Sequence, residues 1–109
     1  MGRIEMLKEF AAQHAEDPFP RYGLAMEYKN AGLLAEAEAE FAGLRRAFPD
    51  YVPAYFHAAS VYRALKRRVE AEETYRAGID AATRKPDPHA RGELEAALAE
   101  LDQEEGGAR

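Results

Sequence analysis

Residues 22–49 read YGLAMEYKNAGLLAEAEAEFAGLRRAFP, and residues 56–83 read FHAASVYRALKRRVEAEETYRAGIDAAT. A shift of 34 positions lays Tyr22 on Phe56, Ala25 on Ala59, Tyr28 on Tyr62, Glu36 on Glu70, Ala37 on Ala71, Glu38 on Glu72, Phe41 on Tyr75 and Ala47 on Ala81. A repeat of that length is two helices and a turn. Small residues sit where the helices cross closely, and large ones fill the space beside them.

Outward from this pair, turn residues cut the 109-residue chain into helix-sized pieces. The breaks are Asp17-Pro18-Phe19-Pro20, Asn30-Ala31-Gly32, Phe48-Pro49-Asp50, Leu65-Lys66-Arg67 and Lys85-Pro86-Asp87-Pro88. Six helices fit between them, near 3–15, 19–31, 34–47, 53–65, 68–84 and 88–103. Asp17 and Asp87 each precede a proline, pairing a side-chain acceptor for free amides with a residue whose missing donor costs nothing in a first turn. Strands have little to be made from, since the β-branched set is only Ile4, Val52, Val61, Val69, Thr74, Ile79 and Thr83. In the third and fifth helices acids precede bases, Glu36, Glu38 and Glu40 before Arg45 and Arg46, and Glu70, Glu72 and Glu73 before Arg76, Arg84 and Lys85. That order complements the helix dipole.

The pattern resembles the tetratricopeptide repeat family, in the form of a small, bacterial-type protein with two repeats and flanking helices. In repeat one the resemblance rests on Leu24-Ala25, Tyr28, Gly32, Ala37, Phe41 and Pro49; in repeat two it rests on Ala58-Ala59, Tyr62, Ala71 and Tyr75. Three departures stand out. The early aromatic of the first helix is Arg21 in repeat one but Tyr55 in repeat two, and Lys66 takes the place of the turn glycine. The closing proline moves from the position of Thr83 to Pro86, which predicts a second helix two or three residues longer in repeat two. The resemblance implies an all-α, antiparallel helix-turn-helix array of about six helices in one domain. Its parts are an N-terminal helix (1–17), repeat one (18–51), repeat two (52–85), a C-terminal capping helix (86–105) and a frayed tail (106–109). Ile4, Leu7, Phe10 and Ala11 suit packing of the first helix onto repeat one. Leu94, Leu98 and Leu101 form the stripe expected of a cap, or of a dimer seam, on the last helix.

Composition narrows the chemistry. The chain lacks cysteine, which excludes disulfides and thiolate sites. Of its net charge of -5, residues 1–85 contribute nothing, with 13 bases against 13 acids; residues 86–105 hold seven acids against Arg91 alone. The longest uncharged run, Tyr51 to Tyr62, is 12 residues and contains Pro53, short of a bilayer span, and the start lacks the apolar core of a signal peptide. A soluble cytoplasmic protein is expected. His14, His57 and His89 lie far apart with no ligand pair among them, so no metal is expected. Ser60, the lone serine, has no nucleophile elbow, and the glycines form no phosphate loop. No catalytic residue and no cofactor are expected.

What remains is a surface. In the family, the first helix of each repeat lines a concave groove that holds a peptide or partner segment. On that helix of repeat one, Phe19, Tyr22, Met26 and Lys29 fall within about 80° of arc, opposite Leu24, Ala25 and Tyr28. Repeat two adds Phe56, His57, Ser60 and Arg63. Aromatic, Met and Arg side chains are the types enriched at binding hot spots. An apolar-basic groove for a protein or peptide partner is the functional expectation. The competing readings are that Tyr22 and Phe56 are ordinary core, and that the same face or the last helix mediates self-association. The monomer or weak homodimer state stays open between these. Family members that clamp acidic chaperone tails use Lys and Asn at defined first-helix positions. Tyr22, Met26 and His57 stand there instead, so that adaptor role is not implied. The one basic cluster, Arg63, Lys66, Arg67 and Arg68, is expected as a solvated turn, with nucleic acid or the chain's own acidic end as lesser alternatives; no nucleic-acid or membrane partner is expected.

Overall fold

The computed structural model describes residues 2–107, with side chains through residue 104. Six helices follow one another: α1 (Arg3–Gln13), α2 (Pro18–Asn30), α3 (Leu34–Ala47), α4 (Pro53–Ala64), α5 (Arg68–Arg84) and α6 (Pro88–Gly107), and no strand occurs among the described residues. The expected frayed tail falls on the last turn of α6 and on residues 108–109, which lie outside the described residues.

Each helix packs on its neighbour in sequence, and α4 also touches both α2 and α6. The helices therefore form two layers, α2, α4 and α6 on the inner side and α1, α3 and α5 on the outer. The whole measures 47 × 30 × 19 Å.

Local signals set the boundaries. Asp17 Oδ1 accepts from the Phe19 amide at 3.0 Å with Pro18 in the first turn, and Asp87 Oδ1 accepts from the Ala90 amide at 3.1 Å. The first helix of each repeat ends in the same pair of bonds. In repeat one the Gly32 amide donates to Lys29 O and the Leu33 amide to Tyr28 O; in repeat two Lys66 donates to Arg63 O and Arg67 to Tyr62 O, all between 2.9 and 3.0 Å. This arrangement satisfies carbonyls left orphaned at the helix end, and it demands a left-handed residue at its turn. Gly32 adopts φ 78°, and Lys66 is forced to φ 63°. α5 has 17 residues against 14 for α3, and its end at Arg84 lies three positions beyond the repeat equivalent of Ala47, as the displaced proline predicts.

The core follows the repeat phase. Ala25 and Ala59, Ala37 and Ala71, Tyr28 and Tyr62, and Phe41 and Tyr75 are all buried. They divide between two apolar clusters. The first gathers Leu24, Ala25, Tyr28, Ala37, Phe41, Leu44, Ala54, Ala58 and Val61. The second gathers Val52, Tyr55, Ala59, Tyr62, Ala71, Tyr75, Ala81 and Ala82 with Leu94 and Leu101 of α6. Ala47 and Ala81 break the symmetry. Ala81 is buried in the cluster that includes α6, while Ala47 is exposed. At the opposite end, Ala11 is the one buried residue of α1.

Candidate functional site

The inner layer carries the eight residues expected to line a groove. Phe19, at the start of α2, is 65% exposed, and Phe56 of α4 is 36% exposed. Tyr22, Met26, Lys29, His57, Ser60 and Arg63 are half-buried. Tyr22 and Met26 rest against the first apolar cluster, so part of what a core assignment would require is met at these two positions.

Aromatic contacts join the two repeats across this face. The Tyr22 ring lies 6.4 Å from Phe41, 5.8 Å from Tyr51 and 6.2 Å from His57; Phe56 lies 5.4 Å from His57 and 6.3 Å from Tyr75. Most of these pairs are edge-on, an orientation that the ring quadrupole favours. The repeat-equivalent residues Tyr22 and Phe56 are thus linked through His57. Tyr51 belongs to the loop between repeats, where no helical phase marks it as part of the face.

The electrostatics fit an apolar floor. Burial pushes the His57 imidazole below its usual range, and Lys29 adds to the effect while Glu93 of α6 opposes it. His57 is therefore neutral at pH 7, with an uncharged ring facing its aromatic neighbours. Burial raises the Tyr22 hydroxyl, and it raises that of Tyr51 together with the nearby Tyr22 and Asp17.

Of the eight residues expected to line a groove, Arg63 is the one whose surroundings differ most from expectation. Its guanidinium donates to the Tyr75 hydroxyl at 3.4 Å, to Glu100 at 3.1 Å and to Glu104, both carboxylates belonging to α6. Arg68 reaches Asp102 at 3.4 Å. The solvated turn expected of the basic cluster is thus corrected: Lys66 and Arg67 are exposed, whereas Arg63 and Arg68 hold the chain's acidic end. Arg67 lies over the Tyr62 ring at 4.9 Å and pairs with Glu70 at 2.9 Å.

The other histidines lie outside α2 and α4, His14 at the end of α1 and His89 in α6. The His14 ring lies 4.3 Å from that of Phe10 in a tilted arrangement, and the exposed His89 lies 3.7 Å from Glu93. Among the described residues no three His, Asp or Glu side chains converge as a metal site requires. No described helix is long and apolar enough to cross a membrane.

No family model and no curated protein matches the sequence. Solved structures do. The tetratricopeptide repeat domain protein of Salinibacter ruber, determined in solution, is 35% identical with a TM-score of 0.77 over 81% of this chain and 89% of that one. A crystal structure from the same organism gives 35% identity and a TM-score of 0.75 over 79% and 97% of the two chains. A Bordetella parapertussis protein shares the fold at 21% identity, with a TM-score of 0.80 over 95% and 90%. With the phase-locked repeat, the two left-handed helix ends and a relative at this identity over most of its length, the chain belongs to the tetratricopeptide repeat family.

Proposed function

We propose that the chain is a non-enzymatic protein-interaction module that holds an extended partner segment in the inner-layer groove. Family membership supports a role in protein–protein interaction in general. The finer reading rests on one observation: on the helices that carry the half-buried Tyr22, Met26 and His57, Phe19 and Phe56 leave large apolar surface open. Exposed aromatics beside a well-packed floor are the arrangement in which a partner's apolar side chain gains most on burial. Lys29 and Ser60 supply polar rim.

Partner capture by the wild type against Phe19→Ala and Phe56→Ala tests the reading. Both residues are exposed enough for the fold to survive, which a thermal melt verifies. Each change should weaken capture at least tenfold, about the worth of a modest hot spot; unchanged capture by both would overturn the proposal. Self-association through the same face is the competing reading. The α6 leucines are less suited to it, since Leu94 and Leu101 are already buried within the chain. Light scattering at several concentrations separates the two: a strict monomer sinks self-association, and a dimer lost in Phe56→Ala favours it.

A further inference from the structure

The acidic end of α6 occupies a basic cleft. Arg63 from the end of α4, Lys66 from the turn and Arg68 at the start of α5 line a space of about 240 Å³ with Leu101 and Glu104. Glu100 and Glu104 both engage Arg63, while Asp102 engages Arg68. The side chains of Glu100, Asp102 and Glu104 are 66%, 47% and 55% exposed, so water competes for each of them. Ion pairs of this kind are weak and exchangeable. Leu101, by contrast, is buried, and anchors the helix that carries the acids.

Lys66 provides a second observation. It sits in the left-handed region at φ 63°, where glycine would be unstrained, and it has no ion-pair partner among the described residues. The helix end sets that backbone conformation, and the side chain it carries is a long cation on the rim of a cleft that already holds two arginines.

We propose that this cleft is a docking site for an acidic segment of a protein partner, with the carboxylates of α6 as its occupants in cis. The incoming carboxylates replace Glu100 and Glu104 on Arg63 and add the unpaired Lys66. Only side chains exchange, because Leu101 keeps α6 in place. The inference shares Arg63 with the groove reading but does not require the aromatic floor. A partner using both would be apolar where it meets Phe19 and Phe56 and acidic where it meets Arg63.

The probe is a fluorescein-labelled peptide LAELDQEE, which copies residues 98–105. It is titrated by fluorescence anisotropy into the full chain and into Glu100→Gln/Glu104→Gln. Removing the two internal competitors should tighten binding about tenfold, and raising the salt should weaken it in both proteins. In the double-Gln background, Arg63→Gln or Lys66→Gln should each lower affinity several-fold. Phe19→Ala should leave it unchanged, which keeps failure of this site distinct from failure of the groove. Equal affinity in the wild type and the double variant, no binding by the double variant, or indifference to Arg63→Gln would each overturn the proposal. Equal binding of a neutral LAQLNQQQ control would do the same.

Discussion

Leu44 and Gly78 stand at the same point of the two repeats, and so do Arg21 and Tyr55, yet the pairs are filled in opposite ways. In repeat one the second helix supplies a fully buried leucine, while the first offers Arg21, which is half-buried and 3.8 Å from Glu40. In repeat two the first helix supplies the buried Tyr55, and the second gives way to glycine. A Cβ built on Gly78 would come within 2.6 Å of the Tyr55 Cβ and 3.1 Å of Leu94. The large buried side chain comes from the second helix in repeat one and from the first helix in repeat two. This is how a packed interior tolerates sequence change.

The sharpest break of this comparison comes from the positions where the repeats do agree. Phe41→Ala and Tyr75→Ala should each cost about 3–5 kcal/mol, read from urea unfolding. A much smaller loss at one of them would mean that the two apolar clusters are not equivalent. Next comes the compensated pair. Gly78→Ala should destabilise by about 1–2 kcal/mol, overpacking against Tyr55 exceeding the gain in helix propensity. In a Tyr55→Gly background, which removes the Cβ that an alanine at position 78 would meet, the same change should cost clearly less, and a double-mutant cycle that found strict additivity would refute the compensation.

The two turns differ more subtly. Lys66→Gly should raise stability by about 1 kcal/mol and Gly32→Ala should lower it by a similar amount, since glycine alone is unstrained at positive φ. Opposite signs at repeat-equivalent sites in thermal melts are the expected outcome.

The smallest effect concerns pH. The His57 imidazole is depressed in the folded protein. Below the unfolded value near 6.5, the unfolded chain therefore binds more protons than the folded one. Stability present above that pH is lost as the pH falls towards the folded value. Melting temperature should drop between pH 7 and pH 5, and drop less in His57→Gln.

Much of this architecture is written locally in the chain. The Asp-Pro starts, the shared helix ends and the displaced proline each fix a boundary through one or two residues, so all six helices could be placed within a few positions of where they lie. The phase of Ala25, Tyr28, Ala37 and Phe41 with Ala59, Tyr62, Ala71 and Tyr75 named the core for the same reason: a side chain's face follows from its place in the helix period. Three features of the candidate site were missed or left open. Tyr51 lies in a loop, outside any period. The exposure of Tyr22 depends on how closely α2 and α4 approach, a tertiary quantity. The acids that meet Arg63 follow it at distances of 37 and 41 residues across the lengthened α5, beyond the reach of a 34-residue repeat rule.

The sparse burial of α1 bears on how the chain opens and closes. Every helix packs on its sequence neighbour, so most contacts are local, and chains of that kind fold quickly and propagate order from one unit to the next. α6 contributes two leucines to the second cluster, whereas α1 buries a single alanine. Unzipping should start at α1, and its amide hydrogens should exchange with solvent before those of α4 and α5, with repeat two the last to open.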